Sequence, residues 1–178
     1  MIRTLLAATA LFASSFVPAA AGAQTPPSIT YPVVLHAAGA AKFLPAAVFF
    51  HGQTAPVQAR NAGGVQFAKD SMMLAALVDT SGYSSQVQQK YQAYLITETA
   101  LEMDGHHLAA GAYGIGFIAE DKFIVMDIGG HDLFTVSSAK DADLKRPTPL
   151  QVLPDSADAH RFRLYEGRSY IGFTQAAP

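Results

Sequence analysis

Apolar residues along this chain come in short runs rather than in long helical stripes. The runs fall at 31–36, 46–51, 55–60, 64–69, 72–79, 91–103, 107–119, 122–128, 132–136, 150–153, 159–165 and 168–173. Turn residues divide them: Asn61-Ala62-Gly63-Gly64, Asp70-Ser71, Asp104-Gly105, Glu120-Asp121, Gly129-Gly130 and Glu166-Gly167. Period-two alternation broken this often predicts about ten short antiparallel strands, in an all-β sandwich or small barrel. Periodicity does not separate those two architectures. One segment departs from the pattern. In Ser84–Tyr94, Val87, Tyr91 and Tyr94 are spaced i, i+4, i+7, which predicts a short helix near 84–91. Tyr91, Ala93 and Leu95 alternate as well, so strand and helix compete there. Lys140–Pro149 is polar and proline-broken and reads as a long connection.

The first 23 residues have a different pattern. Arg3 precedes an apolar run from Leu5 to Val17, Pro18 interrupts it, and Ala21-Gly22-Ala23 has the A-x-A form of a signal-peptidase site. A thirteen-residue run covers about 20 Å as a helix, short of the roughly 30 Å hydrocarbon core. The expectation is a cleaved signal peptide at 1–23, a flexible leader at 24–30 and a single β domain at 31–178. Cleavage leaves no membrane anchor, and the protein is periplasmic or extracellular. The absence of cysteine removes disulfides, a lipoprotein anchor and thiolate chemistry. After Ala23, eleven Lys and Arg stand against fourteen Asp and Glu, a formal charge of −3. That balance argues against nucleic acid as a partner.

Three hairpins can be read for their faces. A two-residue turn at Asp104-Gly105 pairs Met103 with His106 and Glu102 with His107. Leu101, Met103, His106 and Leu108 then face the core, with His106 half-buried, and Glu102 and His107 meet on the solvent side. Adjacent strand residues point to opposite faces, so His106 and His107 do not converge on one metal ion. His106 and His131 are the metal-ligand candidates, with His36, His51 and His160 as further donors, but no spacing makes a metal motif. In the second hairpin a turn at Glu120-Asp121 pairs Phe117 with Ile124, Ile115 with Met126 and Tyr113 with Ile128 as a core face. Gly116 and Gly114 then lie beside Val125 and Asp127, leaving a hollow that a ligand or a loop of the chain could fill. In the third, a turn at Glu166-Gly167 pairs Leu164 with Ser169, Phe162 with Ile171 and His160 with Phe173. Its other face gathers Arg161, Arg163, Tyr165, Arg168 and Tyr170. Guanidinium groups among phenols suit a carboxylate- or phosphate-bearing polymer, or a solvated outer face held by stacking.

Catalytic motifs are sparse. There is no G-x-S-x-G elbow, phosphate loop or S-x-x-K, and the glycines at 111, 114 and 116 precede a strand, so no cofactor is expected. LVDTSG (77–82) and VMDIGG (125–130) partly resemble the loops of aspartic proteases, which makes Asp79 and Asp127 candidate catalytic carboxylates. Ser81 and Ile128 break that pattern, and an Asx-type turn at Asp79 is the plainer reading. The string from Asp104 to Asp127 resembles a hairpin of secreted bacterial β-sandwich families of unknown function, whose pattern is G-x-x-L-x-x-G-x-Y. Gly105, Leu108, Gly111 and Tyr113 match it. The resemblance implies an exported sandwich and carries no catalytic residue.

Together these readings predict an exported, non-catalytic domain that binds an anionic glycan or cell-envelope component through residues 161–170. A secreted hydrolase using Asp79 and Asp127 or a histidine metal site is the alternative, and a structural, subunit-forming domain is the third.

Overall fold

A computed structural model describes residues 29–177. The predicted signal peptide and all but the last two residues of the predicted leader lie outside them. The described chain forms two separate antiparallel sheets, so the architecture is a sandwich rather than a closed barrel. In chain order the elements are β1 (Val33–Leu35), α1 (Ala37–Ala40), β2 (Ala47–Phe50), β3 (Gln53–Ala68), β4 (Ser71–Val78), α2 (Ser85–Gln88), β5 (Ala93–Thr97) and β6 (Leu101–Met103). There follow β7 (His106–Leu108), β8 (Gly111–Ile118), β9 (Lys122–Met126), β10 (Asp132–Ser137), β11 (Ala139–Lys140), β12 (Leu150–Pro154), β13 (Arg161–Glu166) and β14 (Ser169–Gln175). The larger sheet runs β1-β3-β4-β5-β8-β9-β10 with β2 on β3, and the smaller runs β12-β13-β14-β6-β7 with β11 on β14.

The runs 91–103 and 107–119, each predicted as one strand, are each divided between the two sheets. β5 pairs with β8 from Ala93↔Ile115 to Thr97↔Gly111, and β6 pairs with β7 from Leu101↔Leu108 to Met103↔His106. Residues 98–100 oppose only 109 and 110, so one extra residue bends the hairpin from the larger sheet into the smaller. The bend is tied internally. Buried Thr97 donates its hydroxyl to the Thr99 carbonyl at 2.6 Å, and Tyr113 donates to Ala109 O at 2.9 Å. The tip is the predicted two-residue turn, with φ of 49° at Asp104 and 82° at Gly105.

The main core lies between the sheets. Met73, Leu95, Ile115, Phe123 and Val125 of the larger sheet meet Leu101, Met103, Leu164, Ile171 and Phe173 of the smaller. The larger sheet is buried on its outer side too. One outer cluster packs Ala62, Leu74 and Ala76 under Ala40 of α1, and another packs Val78, Ile124 and Met126 under Phe50, Tyr83 and Tyr91. A sheet covered on both faces requires apolar residues at consecutive positions. That is why MMLAALV and KFIVM read as runs rather than as alternation.

The stretch Asn61-Ala62-Gly63-Gly64, predicted as a turn, lies within β3. Its glycines serve close approach. A Cβ on Gly63 would sit 2.9 Å from the backbone nitrogen of Val152, where β12 of the smaller sheet passes β3. The segment 84–91 resolves as one helical turn, α2, whose first turn is capped by the Ser84 hydroxyl accepting from Val87 N.

Glu166 ends the inward-facing row of Phe162 and Leu164 on β13 and is only partly exposed. Burial pushes its carboxyl up from 4.5 to about 6. A raised value means the folded chain holds the proton more tightly than the unfolded chain. The associated stability is therefore complete below about 4.5 and is lost as pH rises through about 6, by roughly 1–2 kcal/mol. Glu166→Gln is expected to melt about 3–6 °C higher than wild type at pH 7.5 and at the same temperature near pH 4. A pH-independent difference between the two proteins would rule out the titration.

Candidate functional site

The arginine–tyrosine face forms, but in a different register. β13 and β14 pair as Phe162↔Phe173, Leu164↔Ile171 and Glu166↔Ser169, so the turn is Gly167-Arg168 rather than Glu166-Gly167. Gly167, with φ of 57°, takes the first central position. The slip is two residues, which preserves the faces, whereas a one-residue slip would reverse them. Arg161, Arg163, Tyr165 and Tyr170 therefore share the outward side, and Arg168 sits in the turn.

This face is already occupied by the chain's own acceptors. Asp155, with only 8% of its side chain exposed, accepts from Arg163 Nε at 2.8 Å and Nη2 at 3.0 Å. Arg161 lies 3.8 Å from the same carboxylate. Asp141 accepts the Tyr165 hydroxyl at 2.9 Å, and Arg168 donates to the carbonyls of Asp141 and Ala142. The Arg163 guanidinium stands 4.6 Å over the Tyr170 ring. Tyr165 is buried and offers no ring to a ligand. The segments that supply these acceptors flank and include the polar connection 140–149, whose charges the sequence does not assign to partners. The predicted binding patch is thus assembled, with Arg161 and Arg163 set against Asp155 and Asp141 and Arg168 held by backbone carbonyls.

The two candidate catalytic carboxylates are not brought together. Asp79 follows β4 and accepts from Ser81 N at 3.0 Å, the Asx-type turn, and that bond holds its carboxyl below the usual range. Asp127 follows β9. β5 and β8 lie between β4 and β9, a separation of about 14 Å at ~4.8 Å per strand. Asp127 instead accepts from His131 N and from His131 Nδ1, both at 3.0 Å, and these bonds lower its pKa. The hollow over Gly114 and Gly116 is filled by the chain, and a three-residue turn sets Met126 and Ile124, rather than Asp127 and Val125, beside those glycines. Phe117 pairs with Phe123 and Gly114 with Met126, so Phe123 and Val125 face the main core while Ile124 and Met126 face outward. A Cβ on Gly114 would strike the Phe50 ring, and one on Gly116 the Lys90 carbonyl, so the chain itself fills that space.

The histidines are dispersed. His107 meets Glu102 at 2.7 Å as predicted. His106 is exposed rather than half-buried and stacks on Phe134, with ring centroids 4.7 Å apart at 10°. His131 serves Asp127. Among the described residues no three His, Asp or Glu side chains come within reach of one ion.

An opening with mixed chemistry lies elsewhere, where the cover of the larger sheet meets its edge. Phe50 and Tyr91 stack 3.7 Å apart, Tyr83 stands edge-on to Tyr91, and the Tyr83 hydroxyl anchors to Phe50 O at 3.0 Å. Burial raises the pKa of Tyr91, whose hydroxyl has no protein partner. Beside this stack is a cleft of about 380 Å³, with Phe50 and Met126 at its floor and His51, Gln86, Val87 and Lys90 around it. His51 occupies a positive-φ turn position (46°), donates its N–H to Ile128 O and bonds through Nδ1 to Gly129 O at 2.7 Å. Lys90 bonds Asp132 at 2.6 Å across the rim, and both side chains are nearly half exposed. A second cleft of about 580 Å³ opens on the other side of Lys90, along Gln92, Phe117 and Lys122. The sequence gives no motif for this arrangement. His51, Lys90 and Met126 come from three segments joined only by tertiary packing.

Comparison with protein-family models, with curated proteins and with solved structures finds no match.

Asp155 ties the connection between β12 and β13 to the smaller sheet through its two-pronged bond. Asp155→Asn is expected to lower stability by about 2 kcal/mol, the scale of hydrogen bonds to a charged group. The readout is a fall in the urea midpoint with an unchanged slope. Arg163 holds the Asp155 carboxyl below its usual range, so the contribution persists at pH 5 and is lost only as pH falls through that lowered value. An unchanged midpoint at neutral pH would mean the strap is held by other contacts.

Proposed function

We propose that this chain is an exported, non-catalytic binding domain, and that its ligand, an anionic glycan or other envelope component, occupies the cleft beside Lys90. The observation that carries this reading is the cleft's composition: an apolar floor on a rigid aromatic stack, with an ammonium, an imidazole and an amide at the rim. A few convergent polar groups over apolar surface are the usual make-up of a ligand site. The Lys90–Asp132 pair is exposed and worth about 0–1 kcal/mol, so an incoming carboxylate can replace Asp132 at little cost. Asp155 on Arg163 is partly buried and doubly bonded, which makes exchange on the arginine–tyrosine face more costly. Hydrolysis ranks lower because Asp79 and Asp127 stand apart and Asp127 is engaged by its own loop.

Titration calorimetry with tetragalacturonate and with a neutral cello-oligosaccharide tests the site. The acidic oligomer is expected to bind, the neutral one at least tenfold more weakly, and Lys90→Ala to weaken the acidic oligomer at least tenfold while the melting temperature falls by no more than about 4 °C. No binding to wild type, or equal binding to Lys90→Ala, would overturn the reading. Export rests on residues 1–23. Intact-mass analysis of protein from its own host is expected to find a chain beginning at Gln24 in the envelope or medium. A chain retaining Met1 in the cytoplasm would refute it.

A further inference from the structure

We infer a second ligand site, independent of the first: a phosphate-binding cleft at the seam between β3 and β12, with Arg60 as its principal donor. The local cause is an enlarged bulge. β3 pairs with β4 at Val57↔Val78 and next at Ala62↔Ala76, so residues 58–61 stand against Leu77 alone. The looped-out residues are tied rather than loose. Asn61 Nδ2 donates to Gln58 Oε1 at 2.9 Å, and Gln58 Nε2 reaches Val78 O at 3.4 Å. Bulges of this kind re-aim a side chain out of the sheet's regular alternation.

Here the side chain is Arg60, which lines a cleft of about 180 Å³ with His36, Thr148 and Gln151. Gly63 and the backbone of Val152 close the cleft where the two sheets come into contact. No Asp or Glu lines it. Among the described residues Arg60 has no carboxylate within salt-bridge distance. Arg161, Arg163 and Arg168 all have such partners or backbone carbonyls. Gln151 donates to Arg146 O at 3.4 Å, which brings the exposed Lys145-Arg146 turn alongside.

The cleft has a guanidinium in its lining and no carboxylate, which favours an anion. Its size is below the ~300–1,000 Å³ of drug-sized ligand sites and suits one compact oxyanion. The planar guanidinium fork can hold two oxygens of a phosphate, with the His36 imidazole in the same lining, while the Thr148 hydroxyl already donates to Leu150 O at 3.2 Å. The phosphate can arrive as the free ion or as a monoester on a larger molecule, because the cleft opens to solvent.

The test is calorimetric titration of the purified protein with inorganic phosphate and, separately, with glucose 6-phosphate. Binding of either supports the site, and preference for one identifies the source. Arg60→Ala is expected to weaken binding at least tenfold, and Arg60→Lys several-fold, because the charge remains but the fork is lost. Arg60 is exposed, so both variants should melt as wild type does. Lys90→Ala should leave phosphate binding unchanged, which separates this site from the cleft beside Lys90. Absence of binding by either phosphate, or wild-type affinity in Arg60→Ala, would overturn the inference.

Discussion

The bend in the β5–β8 hairpin is the constraint on which the other features of the molecule depend. A hairpin in one sheet needs only a turn, but this one starts in the larger sheet and ends in the smaller. The extra residue in 98–100 against 109 and 110 makes that change of direction without exposing the apolar rows. On the first strand, odd positions face inward through the bend, from Ala93 and Leu95 to Leu101 and Met103. On the second, the inward set shifts from Leu108 to Tyr113 and Ile115. The bulge absorbs this mismatch, so both ladders bury their apolar sides against one another. β14 adds to β6, and Ala176 N bonds Ala100 O, so the smaller sheet grows from the bend.

Burial on both faces of the larger sheet follows from this layout and explains where the sequence could and could not be read. Strand existence and the Asp104-Gly105 turn were legible, because turn chemistry and short apolar runs are local properties. The register of β8 on β9 was not. With apolar residues at Phe123, Ile124, Val125 and Met126 in succession, no alternation distinguishes a two-residue from a three-residue turn. The β13–β14 hairpin alternates cleanly, so its faces are the same for a turn at Glu166-Gly167 or at Gly167-Arg168. Gly63 and Gly64 looked like a turn because glycine tolerates turns, and nothing nearby in sequence indicates that another sheet's backbone lies against them.

Charge shows the same division between local and long-range information. That Arg161, Arg163, Tyr165 and Tyr170 share a face follows from period two. That Asp141 and Asp155 are set against it does not, since both lie in stretches that read as connections. A cluster of cations on a strand is therefore a weak sign of a binding site until the acidic residues of neighbouring loops are placed. Arg60 is the opposite case. It stands in an unremarkable run, QARNA, and gains interest only because a bulge lifts it from the ladder into a cleft without carboxylates.

Both proposed sites lie at margins where different parts of the fold meet, and packing gives the reason. The middle of the space between the sheets is filled by large apolar side chains. Regular strands also satisfy their own backbone groups, leaving little for a ligand to bond. The segments covering the larger sheet are irregular and are held by side-chain ties such as Tyr83 to Phe50 O and Gln92 to the backbone of Phe117. Where such a cover meets the sheet edge at Lys90, or where two sheet margins touch at Arg60, apolar walls and exposed polar groups coincide. A sandwich with one sheet covered twice has more of these seams than a simple two-layer sandwich. The recognition chemistry proposed for it then rests on the cover segments and sheet margins, while the bent hairpin holds the scaffold fixed.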